Sequence, residues 1–335
     1  MYITSVPNLP LTLACWSYDR TRALADGRVR PDGIELTCLD LPVEETFFRM
    51  LRYREFDAAE LSLSSYVVSR FADDPAFIAI PVFPSRFFRH SCIYVNAGAG
   101  IASPRDLPGR TVGTPEYQMT AGVWIRGILA DEFGVPVDSI NYVTGGLEQP
   151  GRGEKLTLDL PPGIRVSRAP ADQTLSSMLA SGAIDALYTA REPSSFRAGG
   201  GRVRRLFEDF AAVERDYFDR TRIFPIMHVI AIRRDIYERQ RWIAASLFKA
   251  FAAAQRIAYD DLAQTAALKT MLPWLVAHLD DTRRRMGDDF WPYGLEPNRH
   301  VLDVFLRYSH EQGLSRRRLS PEDLFAPETL ATFRI

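Results

Sequence analysis

Residues 84–90 read Pro-Ser-Arg-Phe-Phe-Arg-His, directly after a short apolar stretch. Arg86 and Arg89 each carry a planar guanidinium that can hold a carboxylate through two parallel hydrogen bonds. His90 adds a group that exchanges protons near neutral pH. In an extended segment, positions 86, 88 and 90 share one face, so Arg86 and His90 are expected to act together while Arg89 faces away. A second imidazole, His228, stands in the apolar run FPIMHVI. It reads either as a buried histidine bonded to backbone or as a second acid/base facing His90 across a cleft.

Three further clusters sit where strands give way to helices. Thr114-Pro115-Glu116-Tyr117 precedes a helix with Thr120 near its N-cap, and the backbone N–H groups there can cradle a carboxylate. Glu116 reads either as a proton acceptor or as a charge that complements the helix dipole. Ser62 and Ser64, with Glu60 and Ser65, close another such turn, where serines serve as caps or as ligand contacts. Trp16 and Tyr18 follow the first strand, and Trp16 offers a face for stacking. Tyr188 and Arg191 end the segment AIDALYTAR, with Arg191 a second carboxylate clamp.

Other chemistries lack their residues. The chain has no HExxH, no GxSxG, no P-loop and no GxGxxG after a strand. His90, His228 and Glu116 show no metal-ligand spacing, so neither a metal nor a cofactor is expected. Across 335 residues Lys and Arg total 41 and Asp and Glu 42, a net charge of −1. That balance argues against coating nucleic acid or an anionic membrane. The lysines are Lys155, Lys249 and Lys269 and the other basic residues are arginine, so bidentate carboxylate recognition has many candidates and lysine chemistry few. Cys15, Cys38 and Cys92 are widely spaced, form no disulfide framework and fit a reducing compartment. The first 16 residues show no basic-then-apolar leader, and no apolar run approaches the roughly 20 residues that span a bilayer. A cytoplasmic protein is expected.

Strands are predicted at 11–16, 34–41, 56–62, 77–83 and 90–96, with helices at 44–54 and in SSYVVSRFA. Such alternation predicts an α/β fold with a mostly parallel sheet and helices on both faces. The turn-rich SPRDLPGR opens a second α/β unit, with a helix over about 122–132, strands near 140–144 and 183–190, and a Gly- and Pro-rich loop insertion at 145–163. The run 224–234 returns to strand character, and 235–279 and 298–312 carry helical spacing. The economical arrangement is a discontinuous first lobe, 1–97 plus 205–335, with 98–204 inserted as a second lobe and a ligand cleft between them.

DLPGRTVGTPEYQMTA resembles the entry to the second lobe in the type II periplasmic-binding-protein-like superfamily. Within that superfamily, the stretches 14–34, 41–50, 60–69 (ELSLSSYVVS), 80–91 (IPVFPSRFFRHS), 113–129 and 184–196 resemble the 4,5-dihydroxyphthalate decarboxylase family. The resemblance implies a two-lobed fold, a homo-oligomer, and cofactor-independent removal of CO2 from a dihydroxylated aromatic dicarboxylate. Such an enzyme must hold two carboxylates, touch the catechol edge and protonate the ring carbon that bears the leaving group. On that reading Arg86, Arg89 and Arg191 hold carboxylates, and Trp16 stacks on the ring. Tyr18, Ser62, Ser64, Thr114, Thr120 and Tyr188 line the site. His90 is the proton donor, with His228 and Glu116 as further acid–base groups. Two other readings stand beside it: a non-catalytic binding protein for a small aromatic or dicarboxylic acid, and a different lyase such as a dehydratase of an enolpyruvyl acid.

Overall fold

Small and branched residues make Ala58–Ser62 a strand that can be covered on both faces, and all five of its residues are buried. It forms the centre of one of two sheets in the computed structural model, which describes residues 7–331. The first six residues of the stretch read for a leader lie outside the described residues. The first sheet holds β1 (Leu9–Ala14), β2 (Ile34–Leu39), β3 (Ala58–Ser62), β4 (Phe77–Ile80) and β11 (His228–Arg233), in the order β2-β1-β3-β11-β4. β1 runs parallel to β2 and β3, whereas β11 is antiparallel to both its neighbours.

The second sheet holds β5 (Ile93–Asn96), β6 (Thr111–Thr114), β7 (Asn141–Thr144), β8 (Arg165–Arg168), β9 (Ala186–Tyr188) and β10 (Val203–Arg205), in the order β10-β5-β9-β6-β7-β8. The sequence left β5 with the first lobe; it pairs instead with β9 and β10. His90–Cys92 forms a 3-10 turn rather than extending that strand.

The chain crosses between the sheets at 81–92 and again at 206–227. The two crossings pair as a short ribbon. Arg86 bridges Ile226, Met227 N–H donates to Ser85 O at 2.8 Å, and Phe87 N–H donates to Pro225 O at 3.1 Å. The Trp124 indole of the second-lobe helix Thr120–Phe133 is wholly buried and donates to Ile226 O at 2.8 Å. Truncating such an indole costs about 3–5 kcal/mol.

The C-terminal helices serve both lobes. Trp242–Ala263 packs Ile243, Leu247, Phe251 and Ala254 under the first sheet. Arg299–Glu311 turns Leu302, Phe305 and Tyr308 onto the second-lobe helix Thr120–Phe133, where a Cβ at Gly127 would overlap the Tyr308 ring. Assigning residues up to 335 wholly to the first lobe therefore misses this contact. Every residue of the second-lobe helix from Thr120 to Leu129 is buried, so an additional element must cover it. Among the described residues no helix is long and apolar enough to cross a membrane.

Candidate active site

In the β3–β11 register His228 pairs with Ser62, which sets it diagonally across from Glu60 on the same sheet face. His228 Nδ1 and Glu60 Oε1 are 2.6 Å apart, and the Tyr18 hydroxyl donates to the same oxygen at 2.7 Å. The Trp16 N–H donates to Glu60 Oε2 at 3.2 Å. Glu60 is wholly buried. Burial alone would raise its pKa, but the charge of His228 and the hydrogen bonds from His228, Tyr18 and Trp16 outweigh it and hold the carboxyl below its ordinary value. Burial, then the Glu60 charge, pushes the Tyr18 phenol far up, so it stays protonated and donates. Phe47 stands edge-on to the imidazole with ring centroids 4.8 Å apart. With Nδ1 committed to Glu60, Nε2 is the nitrogen left to work in the adjoining cavity.

That cavity, of about 260 Å³, lies where the crossing ribbon meets both lobes. Trp16, Tyr18, Glu44 and Ser62 line it from the first lobe, Ser85, Arg89 and His228 from the ribbon and β11, and Thr120, Arg152, Lys155 and Arg191 from the second. The Ser62 and Thr120 hydroxyls meet at 2.8 Å across the lobes, and Ser64 N–H donates to Thr120 Oγ1 at 3.0 Å. Arg89 is buried, with 7% of its surface exposed. Its guanidinium contacts only soft partners directly, Met227 Sδ at 3.1 Å and Cys92 Sγ at 3.5 Å, with the Phe87 ring at 4.7 Å. No carboxylate among the described residues forms an ion pair with it. The Glu214 carboxylate feels the Arg89 charge without pairing directly with it, and an anion in the cavity would supply a close counter-charge.

The second-lobe cations are held differently. Glu116, wholly buried, accepts from Arg152 Nε at 2.9 Å and from Lys155 Nζ at 2.6 Å. Burial pulls Lys155 below an ordinary lysine while Glu116 pulls the other way. For Arg152, burial opposes the charge but Glu116 prevails and raises the pKa.

Of the residues singled out in the sequence, the structure gathers Trp16, Tyr18, Ser62, Arg89, Thr120, Arg191 and His228 around the cavity. It turns others away. Within 84–90, Ser85 and Arg89 line the cavity while Arg86, Phe88 and His90 do not, so the faces separate as alternation predicts but the opposite one meets the cavity. The Arg86 guanidinium bonds to Phe224 O, Pro292 O and Asn298, pinning the ribbon to the C-terminal segment. His90 is 2% exposed, packed against Phe207 and Tyr217, and burial followed by the Arg220 charge pushes its pKa down to about 4. Glu116 is sequestered by Arg152 and Lys155. Thr114 spends its hydroxyl on Glu116 O at 3.2 Å, and Ser64 and Tyr188 are enclosed with unpartnered hydroxyls. Glu44, Arg152 and Lys155 were not anticipated. Lys155 had one signal, a lysine in a chain that otherwise uses arginine. Among the described residues no group of three or more His, Cys, Asp or Glu gathers to hold a metal ion.

Two α/β lobes joined by a paired crossing, with a cation-lined cavity at the hinge, define a periplasmic-binding-protein-like architecture. The fold matches the sulfonate-binding protein SsuA of Methylobacillus flagellatus at TM-score 0.53 and 14% identity, over 97% of this chain and 94% of that one. SsuA of Escherichia coli matches at TM-score 0.52 and 13% identity, over 97% and 99%. At such identities the likeness is one of fold. A scan against protein-family models finds no match. In sequence, the chain is 45% identical over 327 residues to 4,5-dihydroxyphthalate decarboxylase of Comamonas testosteroni, covering 98% of this chain and 99% of that protein. It is 44% identical over 210 residues to the Pseudomonas putida protein of the same name, covering 63% and 81%. The chain belongs to the 4,5-dihydroxyphthalate decarboxylase family.

Proposed function

We propose that the chain converts 4,5-dihydroxyphthalate to protocatechuate and CO2 in the hinge cavity, without a cofactor, with His228 as proton donor. The observation that carries this reading is the Glu60–His228 pair at 2.6 Å beside a buried Arg89 that forms no ion pair with a carboxylate among the described residues. In this substrate each carboxylate is para to a hydroxyl. Electron density from that oxygen moves to the ring carbon bearing the leaving carboxylate, and His228 Nε2–H delivers its proton there. The C–CO2 bond then breaks, its electron pair restores the aromatic ring, and CO2 departs. His228 is left as the Nδ1–H tautomer, still held by Glu60, and regains its proton from water. Arg89, with Arg152, Lys155 and Arg191 opposite, binds the carboxylates and sets the ring against the imidazole. Enclosure between the lobes limits water around the transferred proton. The reading extends to a homo-oligomer, on the strength of the family resemblance, and to the cytoplasm, whose reducing conditions the three widely spaced cysteines fit.

The test is CO2 release from 4,5-dihydroxyphthalate by the purified protein, with and without a chelator. Release that survives chelation supports the reading. Loss on chelation keeps the decarboxylation but overturns its metal-free form. No release with retained ligand binding overturns the catalytic reading in favour of a binding protein.

A further inference from the structure

Glu44 is a carboxylate in the wall of a cavity that otherwise presents cations. It stands in the first turn of the helix Val43–Tyr53 of the first lobe, yet its charge partners belong to the second. Arg191 Nη2 donates to Glu44 Oε2 at 3.0 Å, and Arg152 Nη1 lies 3.6 Å from Oε1. Arg191 has no other carboxylate partner among the described residues, whereas Arg152 is bound more closely by Glu116. Adjoining the cavity lies a larger hollow of about 550 Å³, and Glu44, Arg152 and Arg191 line both spaces. The three charges therefore stand at the threshold between the two spaces. The pair is also easily parted: the Glu44 side chain is 39% exposed and that of Arg191 59%. Ion pairs so open to water contribute little to stability, so exchanging one carboxylate for another costs little.

We propose that Glu44 is an internal stand-in for a substrate carboxylate, holding Arg191 and Arg152 until an incoming aromatic dicarboxylate displaces it. The inference rests on the reading of the cavity as the seat of such a dicarboxylate. The exchange selects for a ligand with a second carboxylate: one group reaches Arg89, and the other must win the threshold cations from Glu44. It also works in reverse. Once CO2 has left, a monocarboxylate product has one anionic group fewer, Glu44 regains Arg191, and like-charge repulsion favours release.

The test is calorimetric titration with phthalate, an unreactive dicarboxylate, of the full chain, E44Q and E45Q. Glu45 carries the same charge on the same helix but pairs with Arg49 outside the cavity. The expected result is phthalate binding about three- to tenfold tighter in E44Q, from removal of both a competitor and a like charge a few ångströms away. E45Q should bind as the unaltered chain does. Unchanged or weaker binding in E44Q overturns the proposal, as does equal tightening in E45Q, which would indicate only a general field effect. Failure of the unaltered chain to bind phthalate or 4,5-dihydroxyphthalate overturns the reading of the cavity itself, and the inference with it.

Discussion

Glu60 and Glu116 are both wholly buried carboxylates beside the cavity, but they are neutralised by different means. Glu60 lies on a central strand and is met by an imidazole, a phenol and a backbone N–H, all supplied by regular elements or their ends. Glu116 lies in a turn and is met by two full cations from an irregular loop. The first arrangement fixes where a proton sits; the second fixes where charge sits. On the proposed reading proton delivery, which tolerates little displacement, falls on strands, whereas a carboxylate can be gripped from a loop that adapts.

Each side of that contrast can be broken separately. The largest effect is expected from His228→Asn. Turnover should fall about 10²- to 10⁴-fold, the usual worth of a general acid, with phthalate affinity within about threefold. Steady-state kinetics beside calorimetry checks this, and retained turnover would remove His228 from the chemistry. Arg89→Met should chiefly weaken binding, by about ten- to a hundredfold, since a charge-assisted contact in a buried site is lost. An unchanged Kd would refute the clamp. Glu116→Gln should weaken binding by about tenfold or less and leave kcat within about twofold, because Arg152 and Lys155 lose their anchor rather than their charge.

His90→Asn sharpens the contrast by what it spares. Turnover should stay within about threefold, because His90 is enclosed away from the cavity. Its effect belongs to stability. The folded pKa of about 4 lies below the unfolded value of about 6.5, so between those pH values the unfolded chain binds a proton that the folded chain refuses. Stability is therefore full above pH 6.5 and declines toward pH 4, by roughly 3 kcal/mol from this residue. Denaturant titrations across that window should show a shallower decline in the variant. Glu60 has the same sign in a lower window. Its depressed folded pKa gives stability above the ordinary carboxylate range that is lost as the pH falls through the folded value, and Glu60→Gln should remove that component.

The two-lobed α/β class was legible because strand and helix alternation carries it, and the blocks that resemble the family are quoted from the same segments. The site was less so, for local reasons. The alternation across 84–90 is legible, but only tertiary packing decides which face meets the cavity; it puts Ser85 and Arg89 there, which reverses the roles expected of Arg86 and Arg89. His228 sits among apolar neighbours because its strand is central, and that context suggests burial without revealing the carboxylate two register positions away. Arg152 and Lys155 lie where Gly and Pro erase periodicity, so only tertiary contact with Glu116 identifies them.

The paired crossing has a consequence for recombination. Because the two crossings pair through Ser85 with Met227 and Phe87 with Pro225, the second lobe enters and leaves the first at one point, like a cassette with both ends in one socket. A chimera carrying the second lobe of a relative could therefore keep the Glu60–His228 pair and exchange the threshold arginines. The cassette is not self-sufficient, because Gln312 receives the Arg126 Nε–H at 2.8 Å and Tyr308 rests on Gly127. A graft that omits Arg299–Glu311 and Gln312 would leave the helix Thr120–Phe133 uncovered, and because Phe325 and Ala326 return to Ala79 of the first sheet, a working exchange has to splice at four places along the gene, not two.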